Sequence, residues 1–591
     1  MATTDEFDKP ELSINKLSLS DLQGLFSLTS SIPGLSASIL NLTASLAGLS
    51  QTLPVSAPGS ERTSRDPRNM THAELQDLKF ENLEKNTDHF FLIIIAIIIF
   101  FMQGGFAFLE AGAVRSKNTV NILIKNLLDI DQLLTCFIVL LILFYIICIQ
   151  LSCMLKLGFV YWAIGWGLAY GAGGNPFCGG SQFLNYHLDY DSYPTWFFQF
   201  VFAASAATIV SGAIAERCQF GAYFLYSILI TGWVYPVVSH WTWDTGDEQG
   251  VGQGWLNSVE YTDFAGSGVV HLLGASCALV GCSFIGARKG RFNVNGDIVE
   301  MAGHSVPLAG LGGFILLFGF LAFNGGSQGS ISRPGDGAAV ALSIVNTILG
   351  ACSGGLCVLL FNRFLLRQPW SFLMTLNGSL AGMVAMCAGC NVYEPWAALV
   401  IGTGAGVSFI TIHFIMLKLQ LDDPLDAVAV HGGGGLWGLV SVPFFMYANL
   451  EEGKRGIFWD GHTSYPWIVL GYNLLGALCI FVWAAFWSIL IFGGARVLGW
   501  LRVSEELELK GMDIDKHGEA AYPAQAWVEV QYKPKPGIED STPQYMAFAI
   551  EKDCNPTAAI QYNLELSLLD GKGNAGVEEK KHGNVNHTFQ S

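Results

Sequence analysis

Two histidines set in apolar surroundings are the residues with the clearest capacity for chemistry. Residues 263 to 271 read DFAGSGVVH and residues 423 to 431 read DPLDAVAVH, so an Asp stands eight positions before a His in both. At the same offset Gly274 matches Gly434, and Leu279 and Val280 match Leu439 and Val440, which marks an internal repeat. A neutral imidazole offers one donor and one acceptor, and a pair of them can also ligate a haem or metal. Asp263 and Asp423 fit helix entrances, where a carboxylate accepts from orphan N–H groups, and Pro424 fits the first helical position. Eight helical residues at about 1.5 Å each would carry His271 and His431 roughly 12 Å inward, near the middle of a hydrocarbon layer about 30 Å thick. A single such His is commonly just hydrogen-bonded to a neighbouring helix; its repetition points to function.

The rest of the chain must build those helices. Of 591 residues, 51% are hydrophobic and 13% charged, far below the roughly 25% charge of soluble domains. This is the composition of a polytopic membrane protein in a lipid bilayer. The net charge of −17 belongs to loops and tails and gives no basis for nucleic-acid binding. Most of the 13 cysteines, including Cys277, Cys282, Cys352, Cys357 and Cys479, lie in apolar runs, where Cys packs as a small hydrophobe; the Cys387 and Cys390 pair reads the same way.

Apolar runs fall at 89 to 113, 119 to 173, 194 to 215, 220 to 241, 263 to 286, 304 to 323, 338 to 362, 371 to 391, 396 to 418, 425 to 448 and 467 to 499, which predicts eleven transmembrane helices. Arg115, Lys117, Arg217, Arg288, Lys289, Arg291, Arg363, Arg367, Lys418, Arg496 and Arg502 all fall on one side. The positive-inside rule then puts the N-terminus outside and the C-terminus inside. The Asp263 helix enters from outside and the Asp423 helix from inside, so both histidines reach one level. That is an all-α, inverted five-plus-five repeat with one extra helix. A fainter echo, GGFAFLEAG at 104 to 112 against GFLAFNGGS at 319 to 327, agrees with it.

Residues 1–85 are rich in Ser, Thr and Leu, show no cleavable signal, and are expected to lack a packed core. Asn41 and Asn69 stand in glycosylation sequons if that end faces outward. Asp189, Asp191, Asp244, Asp247, Glu248 and Glu260 sit in outer loops without a nearby Lys or Arg and could concentrate cations, or form an ordinary solvated acidic surface.

Several long motifs resemble one family. NILIKNLLD (121 to 129), YWAIGWGLAYG (161 to 171), SGAIAERCQF (211 to 220), DFAGSGVVH, AFNGGS (322 to 327), LDDPLDAVAVHGGGG (421 to 435) and RVSEELELKGMDIDKHGEAAY (502 to 522) are similar, in order, to the Amt branch of the ammonium transporter family Amt/Mep/Rh. The resemblance covers about residues 85 to 525. It implies a plasma-membrane homotrimer of eleven-helix protomers, each with a narrow pore for ammonium or ammonia and its analogue methylammonium, with no cofactor and no enzymatic activity. It also implies roles: Trp243 and Ser327 as an outer ammonium site with Phe198 beside it and Asp263 supporting it from below, Phe202 and Phe323 as a stacked gate, and His271 with His431 lining the pore. Taken alone, Phe202 and Phe323 read as helix packing. Phe320 departs from the family, which commonly has Trp there, and altered packing is expected.

An ammonium ion entering such a pore loses water, which the face of Trp243 can offset by about 2 kcal/mol or more, with Ser327 as acceptor. A full charge in apolar walls costs several kcal/mol. The expected mechanism therefore parts ammonia from its proton, the proton moving along the imidazoles. A membrane ammonium sensor with little flux and a haem or metal oxidoreductase are the other readings. One His per helix and no completing carboxylate or thiolate cluster speak against the last.

Residues 130–157 hold an apolar insertion that the family does not carry. A complete extra span would turn every later basic loop outward, so a re-entrant hairpin, an assembly-impairing variant and a gene-model artefact remain as readings. The transmembrane domain is expected over 86–500, an ordered cytoplasmic segment over 501–525, and a disordered tail over 526–591 whose His582 and His587 are solvated.

Overall fold

The computed structural model describes residues 71–130, 157–247 and 250–523. Most of the N-terminal segment with Asn41 and Asn69, the insertion from 131 to 156, Glu248, and the tail with His582 and His587 lie outside the described residues. Among those described the chain is helical, with four isolated bridges in place of any strand. The first half comprises α1 (His72–Ala113), α2 (Thr119–Ile130), α3 (the turns Leu157–Val160, Tyr161–Gly165 and Trp166–Tyr170), α4 (Tyr193–Ala213), α5 (Phe220–Trp243) and α6 (Ser267–Ile285). The second comprises α7 (Val306–Gly326), α8 (Asp336–Leu365), α9 (Phe372–Met386), α10 (Pro395–Lys418) and α11 (Val428–Phe445), followed by α12 (Tyr465–Val497) and the short α13 (Glu505–Lys510). Among the described residues nine of the apolar runs form helices long and apolar enough to span a membrane, α9 is a shorter apolar helix, and the second run is represented by α2 and α3.

Two expectations need correction. The first helix starts at His72, inside the segment 1–85 expected to lie outside the packed transmembrane domain. Thr71 and Glu74 cap each other's backbone there, and the polar turns that follow hide the helix from a hydropathy scan. At 42 residues α1 is roughly 60 Å long, about twice a hydrocarbon core. It therefore brings Lys85 onto Asp191, so that acidic loop residue has a cationic partner after all. Second, Pro424 lies in a turn ahead of α11 and is not its first residue.

Burial follows position in the bundle. α4 is buried on nearly every face, whereas α12 leaves Leu474, Leu478, Val482, Phe486 and Leu490 exposed, as a lipid-facing helix should. The first helices of the two halves meet backbone to backbone. A Cβ on Gly312 would stand 2.1 Å from the Leu109 nitrogen, and one on Gly112 2.3 Å from that of Ala309, so only glycine permits this crossing. Cys387 and Cys390 are buried free thiols, in keeping with packing.

At the basic end, buried charges tie the connections together. Arg288 forks onto Asp422 (2.8 and 3.0 Å) and donates to Glu216 at 2.6 Å, while Arg115 also pairs with Glu216. Burial pushes the Asp422 carboxyl up, but the Arg288 fork outweighs it and holds the group at about 2. Glu216 is likewise held below the carboxylate range by Arg288 and Arg115 in spite of its burial. A depressed carboxyl contributes stability above its unfolded value of 3.8 and loses it as pH falls through about 2. Thermal unfolding in detergent should therefore lose roughly 2 kcal/mol from Asp422 between about pH 4 and pH 2. Asp422→Asn should lower stability at neutral pH and flatten that acid limb. An unaltered limb would remove the ion cluster from the account of stability. Beyond it, the Asp513 carboxylate accepts from the Val120 and Asn121 N–H groups at 3.0 and 2.8 Å, pinning the segment after α13 to the start of α2.

Candidate functional site

The two repeated Asp–His stretches meet inside the bundle. Asp263 Oδ1 accepts from the Gly266 N–H at 3.1 Å, and Oδ2 accepts from Gly268 and Val269 at 2.8 and 3.0 Å. Gathering three N–H groups on one carboxylate requires a sharp turn, which Gly266 supplies with φ of 101°. Asp423 Oδ2 accepts from Val428 at 2.7 Å in the matching place. Residues between each Asp and its helix are therefore turn, not helix, and each His lies in the opening turns of α6 or α11 instead of eight helical residues deep. Both opening turns are wide π turns, Ser267–Leu272 and Val428–Gly433, a form that recurs at functional sites.

The rings of His271 and His431 stack with centroids 5.2 Å apart and planes 9° from parallel, and their Nδ1 atoms are 3.2 Å from each other. One Nδ1 must donate and the other accept. Each neutral ring then carries the opposite state at Nε2, so the pair presents one lone pair and one N–H. Nε2 of His271 is buried with no hydrogen-bond partner. Burying it unpaired is costly unless something visits.

Aromatic contacts continue from His271. Phe323 lies 5.6 Å from it, Phe202 stands 4.1 Å from Phe323 at 31°, and Phe198 lies 4.8 Å from Phe202. Both Phe202 and Phe323 are buried. Trp243 meets Phe202 edge-on at 5.8 Å and 86°, and its indole N–H donates to the Asp263 carbonyl at 2.9 Å. Asp263 thus anchors the Trp through its backbone and the His helix through its side chain. Ser327 is half-buried one turn beyond Phe323; its hydroxyl donates to the Phe323 carbonyl at 2.7 Å, which leaves its oxygen lone pairs to accept. All eight site residues expected from sequence belong to one connected set.

The sequence reading passed over Phe106, 6.5 Å from the His431 ring, and Glu110 one turn on; both stand in the GGFAFLEAG echo, which was the available signal. Phe320, the departure from the resembled family, stacks on His271 at 5.6 Å and 24°. Of the acidic loop residues, Asp244 pairs with His240 at 3.0 Å. Among the described residues no three His, Cys, Asp or Glu side chains gather as a metal site.

Comparison with known proteins follows the same line. The profile described as Ammonium Transporter Family matches residues 90–522. A Caenorhabditis elegans protein provisionally named ammonium transporter 1 is 46% identical over 468 residues, covering 77% of this chain and 82% of its own. Ammonium transporter Amt2 of Archaeoglobus fulgidus is 34% identical over 463 residues, covering 75% and 90%. A solved structure described as a sensor Amt protein superposes with a TM-score of 0.64 at 32% identity, covering 74% of this chain and 100% of its own. Candida albicans Mep2 gives 0.59 at 25%, covering 71% and 87%.

Proposed function

Because this chain belongs to the ammonium transporter family, a family of multi-pass membrane transporters, we propose that it draws ammonium from outside the cell and passes it inward as ammonia and a proton that travel apart. Trp243 and Ser327 hold the cation by its attraction to the indole face and by a hydroxyl oxygen. Passage between Phe202 and Phe323 strips water, and the proton is left to the imidazoles because a bare charge in the apolar pore would cost several kcal/mol. Ammonia accepts from the Nε2–H and donates to the Nε2 lone pair of the His271 and His431 pair, which replaces the hydrogen bonds it gave up in water. The observation that carries this reading is the stacked pair with its shared Nδ1 contact beneath a closed aromatic stack.

The working unit is a homotrimer in the plasma membrane, N-terminus out and C-terminus in, with residues 86–500 as the transporting domain. The basic end, with Arg115, Arg217, Arg288 and Arg502, faces the cytoplasm by the charge rule. An ammonium sensor with little flux is the less favoured reading, since the sequence relatives above carry transporter names.

Growth tests the reading. Yeast lacking its own ammonium uptake should grow on low ammonium when it expresses this chain shortened by residues 131–156, the stretch the family does not carry. Rescue by the full chain as well makes the stretch a tolerated elaboration; rescue by the shortened form alone marks it as inactivating. Failure of both at normal surface levels would overturn transport in favour of sensing.

A further inference from the structure

Below the histidine pair lies a second polar position that none of the roles above uses. A cavity of about 30 Å³ opens beside His431, large enough for one or two molecules the size of water or ammonia. Its wall is apolar except for Glu110, Thr208, Asn377 and His431, and of its lining residues Glu110 and His431 alone titrate. Gly212 and Leu425, which also line it, lie a few residues from Arg217 and Asp422, so the cavity sits on the side of the pair that faces the basic end. Glu110 is 1% exposed, yet its carboxylate is held in place: Oε1 accepts from the Ser211 hydroxyl and Oε2 from Asn126 Nδ2 at 3.1 Å. A buried carboxylate is costly where it only packs.

We infer that Glu110 receives the proton leaving His431 and returns it to ammonia in this cavity, making it the inner acid–base group of the pore. This rests on the proposal that ammonia and proton part at the gate. The proton balance closes without any further reactant. The Nε2–H bond of His431 breaks and an O–H bond forms on Glu110; that O–H bond then breaks as the lone pair of ammonia takes the proton, which leaves ammonium and restores the carboxylate. The carboxylate also draws the new cation's charge away from the imidazoles and toward the inner mouth.

The test is the ratio of ammonium-evoked current to methylammonium uptake, each per surface molecule, in oocytes expressing as parent the form, full or lacking 131–156, that rescues growth. Glu110→Gln is the neutral isostere, and its amide can still accept from Asn126 and donate to the Ser211 oxygen. It should lower the ratio at least about tenfold, whereas Glu110→Asp, which still holds a proton, should keep most of it. A purely packing role would lower current and uptake together. An unchanged ratio in Glu110→Gln overturns the inference. If the parent carries no current, or keeps its current when both histidines are replaced, the proposal of separated proton and ammonia fails first and takes this one with it. As a second readout, the infrared C=O band of a protonated carboxyl should rise when ammonium is added to the reconstituted parent and shift in Glu110→Asp. Its absence in the parent also overturns the inference, whether or not Glu110→Gln reaches the membrane.

Discussion

Replacing both His271 and His431 by alanine should reduce methylammonium uptake per surface molecule at least about a hundredfold, the scale on which positioned donors and acceptors act. Three losses coincide in that double variant. The proposed path loses both Nε2 groups, and with them the lone pair and the N–H that the pair offers to a small polar molecule. The Nδ1 contact of 3.2 Å, which fixes one ring as donor and the other as acceptor, disappears. The stack against Phe320 and Phe106 also loses its middle, leaving an apolar void that a desolvated ammonia has no reason to enter. Each single alanine should already remove most of the effect, because one ring without the other has no ordered partner, so the two losses will not multiply. Uptake within about threefold of the parent in the double variant, at matched surface density, would sink the proposed role of the pair.

The second large effect is expected at Asp263. Alanine there strands the N–H groups of Gly266, Gly268 and Val269 in a buried site and takes away the charge that orders the turn. A buried donor left without its partner costs about 1–3 kcal/mol, and three such donors are enough to show as lower yield and earlier thermal aggregation in detergent. Transport should fall with it, since the same turn positions the Trp243 ring through the Asp263 carbonyl and the His271 ring through the helix start. Asparagine is the informative comparison. It keeps one acceptor oxygen but turns a donor toward the N–H cluster, so it should recover part of the stability and little of the uptake. Equal melting of Asp263→Ala and the parent would refute the anchoring account.

What was legible in the sequence follows from contrast. An Asp and a His inside apolar runs stand out, and their repetition at one spacing needs no structure to notice. That is why the pair, the Asp anchors and the apolar runs were readable directly. Phe202 and Phe323 were not, because phenylalanine in an apolar helix looks the same whether it packs or gates; they entered through family resemblance alone. Contacts between distant residues were invisible in principle, as with Lys85 and Asp191, 106 positions apart. The early start of α1 was readable but overlooked: Thr71 and Glu74 have the spacing of a capping box, yet the polar turns after them resemble a linker. The placement of Pro424 failed for a different reason. A carboxylate that gathers backbone N–H groups from beyond the adjacent turn displaces the helix start, and spacing alone does not reveal which N–H groups it takes.

If protons pass along the pair as proposed, the contact between the two Nδ1 atoms also gives it a memory. Suppose a proton joins the lone pair at Nε2 of the outer ring. The Nδ1 proton then crosses to the inner ring, and the inner Nε2 releases its own. Afterwards the outer Nε2 carries hydrogen and the inner one a bare lone pair, the reverse of the starting order. The chain of donors now points outward, and a second inward passage must wait until it is turned back. Ring rotation is a hard way to do this, because the rings lie 9° from parallel and are hemmed by Phe320, Phe323 and Phe106. On the proposed proton route the pair would therefore behave as a one-bit turnstile: it would record the direction of the last proton, and the rate at which that record is erased would set the ceiling on any sustained current.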